Sequence, residues 1–440
     1  MTEAVWQIKS ATLIHLRPLS RSEYGTGSGL SNSNSQAWVC GICTRPILER
    51  VLIRCMSGSA AGHADPAFAE VKAVFEAGLA NGDDLGAAVA VFVDGRAVVD
   101  LWGGIADRRT GRPWTRDTAC PTFSCTKGVT ATAALMVAQQ CGHGPDEPVI
   151  AWWPEFAQHD KHETTLSDLM SHRAGLPVLE RPVSAAQTTD PAAMADLLAR
   201  QSPLWQPGTE HGYHALTFGW LVGEFVRRHT GLTVGEFTRR HLGDRLLIGA
   251  SGASAREAAR ISSPPPEQRV WKAENAPPIP DDAVAEMAAA IADPESLFVR
   301  ASSNPVASYN DPEVLAAGWP AAGLVTTACD LAKFYGDLIS GTLIAPGLLR
   351  EATTERVRGR DRVLCLESAF GLGYMLPSQN FVVPEPAQCT AFGHPGAGGS
   401  VGLADLEHKV AFAFVPNLRR DWLAGDRRAY RLIAAVYDAL

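Results

Sequence analysis

The stretch PTFSCTKGVTATAALMVAQQCG, residues 121–142, decides how this chain is read. From Ser124 onward it is apolar or small on nearly every side, which predicts a buried helix rather than a surface one. Ser124 and Lys127 stand at its start. Residues i and i+3 of a helix share a face, so the Lys127 amine can reach the Ser124 oxygen. A serine hydroxyl is a weak nucleophile until a base takes its proton. Burial disfavours the ammonium form of lysine, and a helix N-terminus adds partial positive charge that pushes the same way. That terminus also presents backbone N–H groups to a developing oxyanion. Read alone, the pair fits a helix cap and a solvated lysine as well. A lysine inside an apolar helix favours the catalytic reading, because burying an unpaired charge needs a reason.

Composition narrows the setting. The chain has 440 residues, 46% of them apolar and 20% charged, which suits a globular enzyme with a large core. A net charge of -8 gives no basic footprint for nucleic acid or an anionic membrane. No apolar run is long enough to predict a transmembrane helix. Only seven residues are lysine, and Lys127 alone has a serine three positions before it. Nine cysteines, odd in number and irregular in spacing, argue for free thiols in a reducing, cytoplasmic compartment. Cys40 and Cys43 form a C-x-x-C that no second pair answers, so a zinc site is not expected.

Residues 1–60 read as a disordered extension, of which 1–55 are expected to be dispensable, polar and low in complexity around YGTGSGLSNSNSQ. They lack the h-region and cleavage site of a signal peptide. From Asp65 the pattern sharpens. DPAFAEVKAVFEAGLANG predicts a helix capped by Asp65, with Pro66 at its first position. GAAVAVFVDGRAVVDLWGG predicts a hairpin turning at Asp94-Gly95, and residues 400–417 a second one. Residues 424–440 predict a closing helix. TLSDLMSHRAGLP and YHALTFGWLVGEFVRRHTG predict helices that stop at Gly175 and Gly231, and SSPPPEQ and NAPPIPDD predict loops. The expected architecture is a sheet built from both chain ends, with a helical insertion between them.

Two further stretches matter. PGTEHGYHALTFGW contains Tyr213, and AFGHPGAGGSVG places His394-Pro395-Gly396 just before the second hairpin. Together with Ser124-x-x-Lys127, and in this order, they resemble the serine β-lactamase and penicillin-binding-protein superfamily. The resemblance is strongest to its esterase branch, the family VIII carboxylesterases, which are similar to class C β-lactamases. It spans roughly residues 65–440, and LWGGIADRRTGRPWTRDT, LSDLMSHRAGLP, AAGLVTTACDLAKFY and FGLGYML support it.

The resemblance implies an α+β, β-lactamase/transpeptidase-like fold: an antiparallel sheet flanked by helices, plus a mostly helical domain. It divides residues 61–440 into an α/β part (about 61–115 and 310–440) and a helical part (about 116–309). It implies a serine carboxylesterase for short-chain, small-molecule esters, without cofactor or metal. Ser124 forms the acyl-enzyme and Lys127 takes or shares its proton. Tyr213 acts as partner base, and a tyrosine needs a nearby cation for that task. The backbone N–H groups of Ser124 and Ala397 form the oxyanion hole beside Gly396 and His394. Oligomeric state is left open.

The chain departs from the lactamase pattern twice. Tyr213-His214-Ala215 stands for Tyr-x-Asn, and His394-Pro395-Gly396 for Lys-Thr-Gly. A largely neutral histidine holds a β-lactam carboxylate less well than lysine, which favours neutral esters. The same fold also hosts β-lactamases, D-amino-acid peptidases, acyltransferases and non-catalytic relics. A rival nucleophile, Ser400, lies in Gly398-Gly-Ser-Val-Gly402. That motif requires a strand, a sharp turn and a helix, whereas Ser400 leads straight into a strand. His159 to Glu163, and His211 with His214, have usable metal spacing but match no specific ligand set.

Overall fold

The computed structural model describes residues 58–264, 281–420 and 426–440. The expected extension up to residue 57, the Cys40–Cys43 pair and most of both proline-rich stretches lie outside the described residues.

The strands are β1 (Ala61–Ala64), β2 (Gly86–Val93), β3 (Arg96–Asp107), β4 (Arg112–Pro113), β5 (Cys120–Pro121), β6 (Leu247–Ile248), β7 (Leu324–Thr326), β8 (Val357–Arg360), β9 (Glu367–Phe370), β10 (Met375–Leu376), β11 (Ala391–Pro395), β12 (Val401–Asp405) and β13 (Val410–Pro416). The helices used below are α1 (Ala69–Ala80), α2 (Thr126–Cys141), α3 (Leu166–Met170), α4 (Pro191–Arg200), α5 (Thr217–Thr230), α6 (Val234–His241), α7 (Ala328–Ile339) and α8 (Arg427–Tyr437). The main sheet runs β1-β3-β2-β13-β12-β11-β10-β9-β8, with β4 on β3, and these neighbours pair antiparallel. A small second sheet runs β5-β7-β6.

Both hairpins form. Asp94 and Gly95 take positive φ, as a tight primed turn requires. The two chain ends join where β2 pairs with β13, from Val93 opposite Val410 to Ala87 opposite Pro416. Alternation along these strands sorts side chains by size. Ala88, Ala90, Ala404, Ala411 and Ala413 face the core that holds α2 and α7. Val89, Val91, Leu403, Phe412 and Phe414 face the core that holds α1 and α8. Small residues on the first face let α7 approach closely. A Cβ on Gly402 would collide with the Tyr335 ring of α7, and one on Gly128 of α2 with the Tyr335 hydroxyl. A tyrosine thus fills the space that two glycines leave.

Several elements differ from expectation. Asp65 does not cap a helix. Its carboxylate pairs with Arg96 and His63, and Pro66–Phe68 form a short 3-10 turn before α1 begins at Ala69. The strand β1 joins the sheet edge through β3. Helix α3 keeps its Thr165–Asp168 capping box but ends at Met170, well short of Gly175. Helix α5 starts only at Thr217 and ends on Gly231, which leaves Tyr213 on the loop before it. The closing helix α8 is capped by Asp426.

The size sorting is testable. Gly402→Val is expected to lower stability by about 1–3 kcal/mol through overpacking, read as a reduced midpoint in urea unfolding.

Candidate active site

The Ser124 segment is a strand, a turn and a helix. Strand β5 pairs with β7, and the Thr122 N–H donates to the Leu324 carbonyl. Phe123 then turns the chain with φ of 50°, a left-handed conformation unusual for a bulky residue. Ser124 follows directly, and α2 begins two residues on. The Thr126 hydroxyl donates to the Phe123 carbonyl at 2.5 Å and accepts from the Leu324 N–H at 2.9 Å, which fixes the turn. The Cys125 thiol donates to the His394 carbonyl at 3.3 Å, tying the turn to β11. Burial pushes that thiol up to about 12, so it is inert as a nucleophile.

Lys127 is fully buried, in the first turn of α2. Its Nζ lies 2.7 Å from the Ala215 carbonyl, 3.1 Å from the Ala321 carbonyl and 3.3 Å from Ser124 Oγ. Among the described residues no carboxylate pairs with it. Desolvation by burial therefore holds its pKa well below the usual lysine range. The Tyr213 hydroxyl donates to Ser124 Oγ at 2.8 Å, and Lys127 Nζ sits 4.6 Å from the Tyr213 ring centre. Burial pushes the Tyr213 phenol upward from its ordinary value. Both groups are thus driven toward their uncharged forms.

The Tyr213 loop is held by polar groups that the sequence did not advertise. The Tyr213 N–H donates to Asp361 Oδ1, which also accepts from the N–H groups of Val363 and Leu364. Asp361 Oδ2 accepts from the Ser368 hydroxyl, and His211 Nε2 lies 3.0 Å from that hydroxyl. His214 donates from Nδ1 to the Gly212 carbonyl and accepts at Nε2 from the Leu176 N–H. His172 Nδ1 accepts from the His214 N–H. These are struts rather than metal ligands. Burial, then repulsion from Lys127, holds the His394 imidazole down at about 3. The His214 imidazole is likewise held at about 3, mainly by burial. The Tyr213 ring lies parallel to Phe370 and 5.8 Å from His394, centre to centre.

The loop from Gly396 to Ser400 lies against the Ser124 segment. The Ser400 hydroxyl donates to the Thr122 carbonyl at 2.9 Å, and the Gly396 N–H to the Ser400 carbonyl at 2.6 Å. Ser400 is buried and leads into β12, so the strand–turn–helix setting belongs to Ser124 and not to Ser400. Among the described residues, the Ser124 and Ala397 backbone N–H groups have no acceptor. His159 and Glu163 sit on the turn after the Trp153 region, where Lys161 is buried and donates to the Gln158 and Gln201 carbonyls. Among the described residues, no three His, Cys, Asp or Glu side chains are placed to hold a metal ion.

This arrangement has close parallels. The beta-lactamase family profile matches residues 71–436. The esterase/beta-lactamase LipL of Mycobacterium tuberculosis is 35% identical over 370 residues, covering 81% of this chain and 82% of that protein. The crystal structure of a family VIII carboxylesterase superposes with a TM-score of 0.76 at 30% identity, covering 87% of this chain and all (100%) of that one. A penicillin-binding-protein homolog from Caulobacter crescentus gives 0.74 at 34% identity, with the same coverage. Such relatives, over this fold, define a serine hydrolase. The chain belongs to the beta-lactamase family.

Two outcomes are expected. Asp361→Ala strands three buried N–H groups and lowers stability by about 3 kcal/mol or more, read by urea unfolding. Ser400→Ala removes one buried hydrogen bond at about 1 kcal/mol. It keeps hydrolytic activity within roughly tenfold of wild type in a p-nitrophenyl acetate assay.

Proposed function

We propose that this protein is a carboxylesterase that hydrolyses short-chain esters through an acyl-enzyme on Ser124. The observation that carries the reading is the accounting of hydrogen bonds at Lys127. A neutral amine has two hydrogens and one lone pair. The Ala215 and Ala321 carbonyls take the two hydrogens, so the lone pair is left for Ser124 Oγ. Burial favours that neutral form. The lysine is then a base in place beside the nucleophile.

The proton traffic balances on two groups. As Ser124 Oγ attacks the ester carbonyl, its proton passes to Lys127 Nζ. The oxyanion is held by the Ser124 and Ala397 N–H groups. On collapse, Tyr213 donates its proton to the departing alkoxide, and the acyl-enzyme holds an ammonium beside a tyrosinate. Water then gives a proton to the tyrosinate as its oxygen attacks the acyl carbon. Ser124 Oγ leaves and takes its proton back from Lys127. The raised phenol makes Tyr213 a donor in the resting enzyme, and it becomes a base only after Lys127 is charged.

The substrate is a small, neutral ester. His394 stands where a cation would hold a carboxylate, and its imidazole is uncharged at neutral pH. β-Lactams acylate the same serine less efficiently. Among the described residues no helix is long and apolar enough to cross a membrane. The described cysteines are free thiols, which fits a cytoplasmic enzyme.

Ser124→Ala is expected to reduce p-nitrophenyl butyrate hydrolysis by at least about 10³-fold in a folded protein. Retained activity would overturn the reading. Lys127→Arg, which cannot become neutral, has the same effect. For wild type, kcat/KM rises with pH as Lys127 loses its proton, at a pH below the ordinary lysine range. It does not fall on the alkaline side until the raised Tyr213 phenol ionises. The same depression has a stability signature. Between the folded Lys127 pKa and the ordinary 10.5, the unfolded chain binds a proton that the folded one does not. Stability therefore rises with pH across that window, and Lys127→Met removes this contribution. Ala397→Pro deletes one oxyanion donor and lowers kcat by about 10²-fold.

A further inference from the structure

The loop carrying Ala397 is held from behind by a buried charge cluster. Arg428, in the first turn of α8, is a tenth exposed, yet its guanidinium is fully used. Nη2 donates to the Gly398 carbonyl at 2.7 Å and to Asp426 at 2.7 Å. Nε donates to Asp426 at 2.9 Å. Nη1 donates to Asp84 at 2.7 Å and to the Leu418 carbonyl at 3.0 Å. The Asp84 and Asp426 side chains are 4% and 6% exposed. Gly398 and Gly399 have φ of 88° and 112°. A Cβ on Gly399 would strike both Arg428 and Asp426, so the loop backbone lies directly on the cluster.

Burying a guanidinium with two carboxylates is poor value as a stabilising device, since apolar packing of the same volume does as well or better. Such a cluster does fix direction, because a planar fork with several acceptors has one orientation. We infer that Arg428 is a positioning residue for the oxyanion hole. By gripping the Gly398 carbonyl it sets the loop one residue from Ala397, while Ser400 fixes the far end of the loop on Thr122. The Ala397 N–H is thereby held before substrate arrives, which is what makes such a donor effective. This rests on the proposed oxyanion role of Ala397.

The test compares full-length Arg428→Lys and Arg428→Ala with wild type on p-nitrophenyl butyrate, with thermal unfolding measured in parallel. Lysine keeps a cation between the carboxylates but cannot reach Asp84, Asp426 and the Gly398 carbonyl together. The expected result is a fall in kcat of about 10- to 100-fold with KM within threefold. Millimolar methylguanidinium restores part of the kcat of Arg428→Ala. If that variant does not fold, the kcat of Arg428→Lys decides alone. A folded variant with kcat within threefold of wild type overturns the inference, as does a loss that methylguanidinium leaves untouched in folded Arg428→Ala. Ala397→Pro separates the two readings. If it is impaired while the Arg428 variants are not, the oxyanion reading stands and the brace falls. If Ala397→Pro retains full kcat, the oxyanion reading falls first.

Discussion

The burial of one amine organises this site. Lys127 sits in a helix whose surroundings exclude water, and two backbone carbonyls rather than a carboxylate receive it. A carboxylate would have stabilised the ammonium form. Carbonyls satisfy the N–H groups without fixing the charge. Each carbonyl comes from a separate part of the chain, Ala215 on the Tyr213 loop and Ala321 ahead of β7, so the arrangement exists only when these segments dock on α2. Electrostatics nearby follow the same logic. The imidazoles of His172, His214 and His394 all lie close enough to Lys127 to be pushed toward neutrality by it, after burial has done the larger part.

That docking depends on the sheet. Small side chains on one face of β2, β12 and β13 bring α7 in tightly, and Tyr335 then reaches Gly128 of α2, beside Lys127. Larger residues on the other face carry α1 and α8. Helix α8 in turn supplies Asp426 and Arg428, which meet the loop of Gly396 to Ser400. Ser124 is thus approached from one side by the packing of the sheet and from the other by the last helix.

Much of this was legible in the sequence, for particular reasons. The Ser124-x-x-Lys127 spacing, the two hairpins and the alternating strands follow local periodicities, which short-range sterics impose. Tyr213 and the Gly396–Ala397 segment were found only through the ordered resemblance, because a loop tyrosine and a glycine turn carry no distinctive period. Asp361 and the carbonyls of Ala215 and Ala321 had no signal at all. A backbone carbonyl belongs to every residue, and the partners of Asp361 lie up to 148 positions away. Asp65 misled because its helix-cap signature is also that of an acid awaiting a cation, and Arg96 across the β1–β3 edge supplies one.

The seam between β2 and β13 has a bearing on synthesis. Residues 86–93 pair with β3 along one edge, and their other edge finds its partner only in residues 410–416. On a ribosome emitting about 5–20 residues each second, β2 waits with an open edge for roughly 20 seconds or more before β13 emerges. Open, apolar edges invite pairing with other chains. The nascent protein is therefore most exposed to aggregation late in translation, and the assembled Ser124 site is among the last features to exist. Long-range closure of this kind also slows refolding of the intact chain, since loop entropy is lost before the central pairing returns any stability.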